Sequence, residues 1–188
     1  MNTEQKACHN IHRVYCSLHV GCSRDKYRDN IQYIKVESNQ ATATNGHYML
    51  RLKGLANAID KPVYIHRDSA KVIKQHISLP PLVEVAGSVL HSGDMALQLP
   101  PPPAEYPNCD AVIPTRRTIS ADASVCFDAV YLADIMEWFA SIGKSLKVPA
   151  RPRIVHLEKN GPCMWVCEFG EVVAEAVLMP LYEKERGK

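Results

Sequence analysis

The sequence predicts an α+β protein in which helices pack on antiparallel β-sheet. Three observations point there. Apolar residues alternate over short stretches bounded by Gly, Asn and Ser. Two amphipathic helical stretches each follow such a strand directly. The order strand, helix, strands then recurs over about 50–60 residues without obvious identity between its two occurrences.

Taken in order, residues 5–20 place Ala7, Ile11, Val14, Tyr15 and Leu18 at helical intervals and predict a helix stopped by Gly21, with a β reading of 13–20 as its competitor. Ile31, Tyr33, Ile34 and Val36 predict a strand, 37–40 a turn, and 41–52 a second strand interrupted by a turn at Asn45-Gly46. A short strand over 62–66 leads into a helix of about three turns, for which Asp68 is the expected N-cap. Strands over 82–86 and 95–99 flank a turn at Ser92-Gly93, and the proline-rich run 100–107 reads as a stiff, extended spacer. Residues 124–127 predict a strand, Asp128 an N-cap, and 129–142 a helix ended by Gly143. Strands at 153–157, 164–169 and 171–179 close the chain, the last two joined at Gly170.

The 188 residues, 46% hydrophobic and 22% charged, suit one ordinary globular domain or two small ones and exclude disordered and collagen-like chains. A net charge of +2 excludes a strongly basic surface, so any nucleic-acid contact has to be local. No apolar run reaches the roughly 18 residues that span a bilayer, and 1–5 lack signal-peptide order, so a cytoplasmic protein with no membrane partner is expected.

Seven cysteines without a Cys-x-x-Cys pair are expected to be mostly reduced. Cys163 and Cys167, on one face of an extended chain with Trp165 between them, read as core packing in preference to a zinc site. Cys8, His9 and His12 lack a second ligand cluster, so neither a metal nor another cofactor is expected. For catalysis, His47, His66, His76, His91 and His156 with Cys109, Cys126 or Asp110 offer candidate bases and nucleophiles. No nucleophile elbow, phosphate loop, zinc-protease motif or dinucleotide fingerprint accompanies them, and a binding protein is the expectation.

Four short motifs carry a resemblance. Ala43-Thr44-Asn45-Gly46-His47-Tyr48-Met49, the segment 105–115 with its Val-Ile-Pro114 end, Phe127-Asp128 through Met136, and Val177-Leu178-Met179-Pro180-Leu181 resemble, in the same order, motifs of the bacterial sliding clamp, the β subunit of DNA polymerase III. Alone, Asn45-Gly46-His47 reads as a hairpin turn and Met179-Pro180 as a strand end. The resemblance implies a DNA-clamp-like fold, shortened either to a middle-domain-like unit (1–115) followed by a carboxyl-terminal half-domain (116–188), or to one clamp-like domain with an extra motif. It further implies a non-enzymatic processivity factor of DNA replication or repair, of the kind a phage or other mobile element carries.

Carried over residue by residue, the family's peptide groove falls on Thr44, Gly46, His47, Tyr48, Met49, Pro114, Val177, Met179, Pro180 and Leu181. Its expected occupants are clamp-binding peptides of polymerase or repair proteins, held by adaptable apolar walls. The family's Asp and Arg are Asn45 and Tyr48 here, which removes a charged contact unless Arg51 supplies it. Duplex DNA and a homo-oligomeric ring are further implied partners. Lys71 and Lys74 on the second helix are the DNA-contact candidates, Lys6 and Arg13 lie on the first, and the third sets Asp134 and Glu137 ahead of Lys144 and Lys147. The competing reading is an adaptor or decoy that competes for such peptides without encircling DNA.

Overall fold

The computed structural model describes residues 8–55, 57, 59, 61–75, 82–86, 88–92, 94–120, 125–158 and 161–181. Helices pack on a seven-stranded antiparallel sheet, with a smaller four-stranded sheet beside it. The large sheet has the order β5-β2-β3-β4-β11-β10-β9, and the small one β1-β6-β7-β8. Their strands are β1 Cys8–His12, β2 Tyr33–Val36, β3 Gln40–Thr44, β4 Tyr48–Lys53, β5 Val63–His66, β6 Leu82–Ala86, β7 Val89–Ser92, β8 Met95–Gln98, β9 Arg153–His156, β10 Cys163–Phe169 and β11 Val172–Leu178. The α-helices are α1, Arg67–Gln75, and α2, Ala129–Leu146.

Period-two alternation decides which face of the large sheet carries the main core. Leu50 and Leu52 of β4, Ala174, Ala176 and Leu178 of β11, and Cys163, Trp165 and Cys167 of β10 turn to one side. There they meet Ile135, Trp138, Phe139 and Ile142 of α2, Ala70 and Ile73 of α1, and Tyr15 and Leu18 of a 3-10 helix, Arg13–Gly21. Val85, Leu90 and Leu99 bring the small sheet into the same core. The intervening residues Met49, Val177, Met164 and Val166 face the other side and form a second cluster with Cys109 and Ile113. The two sulfurs flanking Trp165 are therefore core, as their spacing predicts.

The proline-rich connector crosses toward that second cluster and is fastened as it goes. The Tyr33 hydroxyl donates to Pro101 O at 2.7 Å, the Tyr106 hydroxyl donates to Thr42 O at 3.0 Å, and Arg51 pairs with Asp110 at 2.6 Å. A short 3-10 turn, Cys109–Val112, ends it, with the Asn108 carboxamide accepting from Asp110 N–H.

Four expectations are corrected. Asp68, the expected N-cap, lies inside the first turn of α1, which begins at Arg67, and its carboxylate accepts from the Arg67 guanidinium at 3.0 and 3.1 Å. Where a helix was expected over 5–20, the described residues from Cys8 on form a strand followed by a 3-10 helix: residues 8–12 pair antiparallel with β6, and residues 5–7 lie outside the described residues. Cys-His-Asn-Ile-His has weak helix propensity, and the ladder satisfies its backbone groups instead. Gly143 lies inside α2 rather than ending it. The helix runs to Leu146 and closes through Lys147 in the left-handed region (φ 58°) with Val148 N–H donating to Gly143 O at 2.9 Å. A Cβ on Gly143 would lie 2.6 Å from Val148 O, so the glycine lets the exiting chain fold back over the last turn. The strand expected at 124–127 is, among the described residues, a single bridge between Cys126 and Leu181. β7 is an additional strand, while the Asp128 cap is present, its carboxylate accepting from Val130 and Tyr131 N–H.

Candidate functional site

The β3–β4 hairpin is built by its own four turn residues. Asn45 Oδ1 accepts from His47 N–H at 2.9 Å and Tyr48 N–H at 3.0 Å. The Thr44 hydroxyl donates to Tyr48 O at 2.8 Å and accepts from Gly46 N–H at 3.1 Å. Gly46 has φ +89°, a conformation that glycine adopts without steric penalty. With the turn locked in this way, His47 projects onto α2 and stacks on Tyr131, ring centroids 4.9 Å apart and nearly parallel.

β11 docks beside this hairpin through the ladder. Val177 pairs with Met49 and Leu178 with Tyr48, and beyond the strand Met179 N–H donates to His47 O at 3.3 Å. Thr44, Gly46, His47, Tyr48, Met49, Val177 and Met179 thereby line one apolar depression of about 50 Å³, and Val112 supplies its remaining wall. Met179 and Val112 are 40% and 43% exposed, so their side chains stand open at the rim.

The other three sequence candidates stand outside that lining. Pro180 is buried, Pro114 is half-buried two residues beyond Val112, and Leu181 is exposed and tied by its N–H to Cys126 O at 2.8 Å. Val112 was not singled out by sequence reasoning, although it belongs to the same Val-Ile-Pro segment as Pro114. Tyr48 contributes support more than surface. Its ring is buried beside Tyr131, and its hydroxyl donates to Val20 O at 2.8 Å. Burial, reinforced by the Asp134 carboxylate, pushes its phenol well above the usual range, so it acts as a neutral donor.

Arg51 does not replace the missing charge at the hairpin. Its side chain is only 6% exposed, its Nε donates to Thr42 Oγ1 at 3.1 Å, and its guanidinium is engaged by Asp110. On the other side of the turn a second, wider cavity of about 380 Å³ opens, lined by His47, Tyr48, Val130, Tyr131, Asp134, Arg24 and Arg28 among others. This size falls in the ordinary range of ligand pockets. His47 and Tyr48 line both depressions, which makes the turn the rib between a small apolar site and a larger one where charged side chains join apolar and aromatic walls.

The two DNA candidates differ in placement. Lys71 is exposed on α1, whereas Lys74 is half-buried, 3.5 Å from Ser141 Oγ, and burial lowers its pKa. Lys74 lines a cavity of about 180 Å³ with Arg13 and Ser17, away from the hairpin. Beneath the same helix, burial lowers the His19 pKa to about 4 against the effect of its bond to Cys16 O, with Lys74, Lys71 and Arg67 adding to the lowering. Lys6 and His76 lie outside the described residues, as do the side chains of Cys8 and His9. The Cys109 thiol is pushed up by burial, the opposite of an activated nucleophile. Among the described residues, no helix is long and apolar enough to cross a membrane.

No protein-family model matches the chain, and no curated protein matches it. Solved structures do. The sliding clamp (DNA polymerase III subunit beta) of Bartonella birtlesii, solved bound to griselimycin, superposes with a TM-score of 0.65 at 15% identity, covering 97% of this chain and 68% of that one. The Bacillus subtilis sliding clamp gives 0.64 at 12%, with 97% and 66% covered. The Borrelia burgdorferi subunit, solved in complex with a natural product, gives 0.63 at 10%, with 97% and 65% covered. The chain thus spans about two thirds of the length of these proteins, and its fold is that of the bacterial sliding clamps.

Proposed function

We propose that this protein is a sliding-clamp-like binder of short linear peptides, acting in DNA replication or repair through the partners whose peptides it captures. Support comes chiefly from one observation: the hairpin at Gly46 and the carboxyl-terminal strand end at Met179, far apart in sequence, are joined by a ladder and share one apolar depression with Val112. Thioether and branched side chains at such a rim adapt to Leu, Met or Phe anchors. Pro114, Pro180 and Leu181 remain in the proposal as flanking positions that steer the chain beside the pocket. The division at 115/116 is retained with it, as a middle-unit-like part and a carboxyl-terminal part that share one sheet.

A depression of about 50 Å³ accepts part of one side chain, so affinity stays modest. Micromolar binding, roughly −8 kcal/mol, is the expected scale. Met179→Ala removes one wall and is expected to cost about 1–3 kcal/mol, roughly a 5- to 150-fold weaker Kd. Titration by fluorescence anisotropy with a labelled peptide carrying Leu and Phe anchors reads this directly. Absence of saturable binding, or a Met179→Ala protein that binds as tightly as the parent, would sink the proposal.

Duplex DNA is the second partner in this reading, through non-specific phosphate contact at Lys71. Because Lys74 is half-buried, a charge reversal there would disturb packing as well, and Lys71→Glu alone is the cleaner test. It is expected to reduce the slope of log K against log salt by about one unit. An unchanged slope removes α1 from any DNA-facing role. The mass of the protein in solution separates a ring from the adaptor or decoy alternative, since encirclement requires a closed oligomer and a decoy does not.

A further inference from the structure

We propose that residues 107–117 form a flap over the second apolar cluster, latched by the Arg51–Asp110 pair, and that Glu175 takes over the Arg51 guanidinium when the flap lifts. The segment is pinned at both ends. Before it, the Tyr106 hydroxyl donates to Thr42 O; after it, Thr118 O accepts from Leu157 N–H at 2.8 Å. Between the pins the hold is slight. Cys109 and Ile113 pack on the cluster of Met49, Met164, Val166 and Val177, and Arg51 Nη2 donates to Asp110. Among the described residues, no other hydrogen bond joins 107–117 to the sheet. The bonds of the Cys109–Val112 turn close on the flap itself, Ala111 N–H donating to Asn108 O and Ile113 N–H to Asp110 O. A segment held by so few contacts opens at a lower free-energy cost than the strands beneath it.

The main obstacle to opening is a stranded charge. Arginine does not shed its proton inside a protein, and Arg51 is buried, so losing Asp110 without a replacement leaves an unpaired cation out of water. The ladder supplies the replacement. Glu175 of β11 lies directly opposite Arg51 of β4 on the same face, where Cβ atoms are about 4.5–5.5 Å apart. Its side chain is only 5% exposed. Lys53 Nζ approaches Oε2 at 2.8 Å as a charge contact without hydrogen-bond geometry, so this buried oxygen keeps its acceptor capacity. Asp110, by contrast, is 71% exposed, and once released it is simply hydrated. The closed and open states therefore exchange one partner of Arg51 for another, and neither strands an ion, which is the condition for a two-state element. Salt screens the surface latch more than the buried seat, so rising salt favours opening. Opening uncovers the apolar cluster, and on the groove reading above it also withdraws Val112 from the depression.

Cys109 rides on the flap and is half-buried, whereas Cys126 is exposed. Alkylation by iodoacetamide, located and quantified by mass spectrometry, therefore reads opening at Cys109 against an internal reference, and no peptide is needed. In the parent protein the Cys109 rate relative to Cys126 is expected to rise about twofold or more from low to high salt. Asp110→Asn removes the latch charge and should raise the relative rate about fivefold. Glu175→Gln is the diagnostic variant. Loss of a buried ionic partner ordinarily loosens its surroundings, but here it removes the second seat of Arg51 and should slow Cys109 at least about twofold. A Glu175→Gln rate equal to or above that of the parent overturns the proposal, as does an Asp110→Asn rate at the parent value. The salt series on the parent protein needs no variant and decides even where a variant fails to fold: a relative rate that is flat in salt overturns the two-seat latch, whatever the peptide titrations show.

Discussion

Replacing Gly54 by alanine is expected to cost about 3–5 kcal/mol of folding stability, at the upper end of what a single substitution does. Gly54 follows β4 with φ +91°, and an added Cβ would sit 2.0 Å from the Glu171 carbonyl oxygen and 3.3 Å from Val172 Cα. The obstacle is backbone on both sides, so no side-chain rotation relieves it. Either Gly54 leaves its left-handed conformation, losing the N–H contact to Asn39 O at 3.2 Å, or the start of β11 is pushed away from the end of β4. Gly170 is the built-in comparison. It has φ +67° but nothing within 4 Å of its would-be Cβ, so Gly170→Ala bears only the left-handed penalty, about 1–2 kcal/mol. Urea midpoints at constant m separate the two. Equal losses for Gly54→Ala and Gly170→Ala would show that the close approach to Glu171 relaxes freely.

Trp138→Ala is expected to cost a similar amount, about 3–5 kcal/mol, through a different mechanism. Trp138 is 2% exposed at the centre of α2 and packs against Phe139 with ring centroids 5.0 Å apart. Its indole N–H donates to Ser17 Oγ at 3.2 Å, which fixes α2 against the 3-10 helix. Alanine leaves a cavity among residues drawn from several elements, and it leaves Ser17, itself buried, without that donor. Trp138→Phe keeps most of the volume and should cost about 1–2 kcal/mol, chiefly for the lost hydrogen bond. Thermal and urea unfolding of the two variants give the comparison. A loss below about 1 kcal/mol for Trp138→Ala would mean that α2 is not the keystone of the core.

Elements with a strong local pattern were legible from residue order. α2 carries its apolar stripe and an Asp128 cap, and β10 and β11 carry long apolar runs joined at Gly170. The hairpin was equally legible, because the Thr44 and Asn45 side chains bond the backbone groups of Gly46, His47 and Tyr48 within a few residues. β1 was not, since its stability comes from β6, some seventy residues downstream, and the local sequence holds only a weak helical spacing. β7 escaped because Val89–Ser92 contains two apolar residues in four, too short a run for any period to register.

The same distinction divides the site. Sequence by itself determined the fold class, the turn at Asn45-Gly46, and the apolar character of Met49, Val177 and Met179, because each depends on side-chain chemistry and spacing over a few residues. Only tertiary structure decided that Val112 supplies the last wall, that Arg51 is spent on Asp110, and that Arg28 donates to the Asn45 carbonyl at the turn. Met49 and Val177 meet because β4 and β11 lie side by side with one specific register. A slip of one residue would turn Leu50 and Leu178 out of the core, and burial of that whole face, rather than any local preference, holds the register in place.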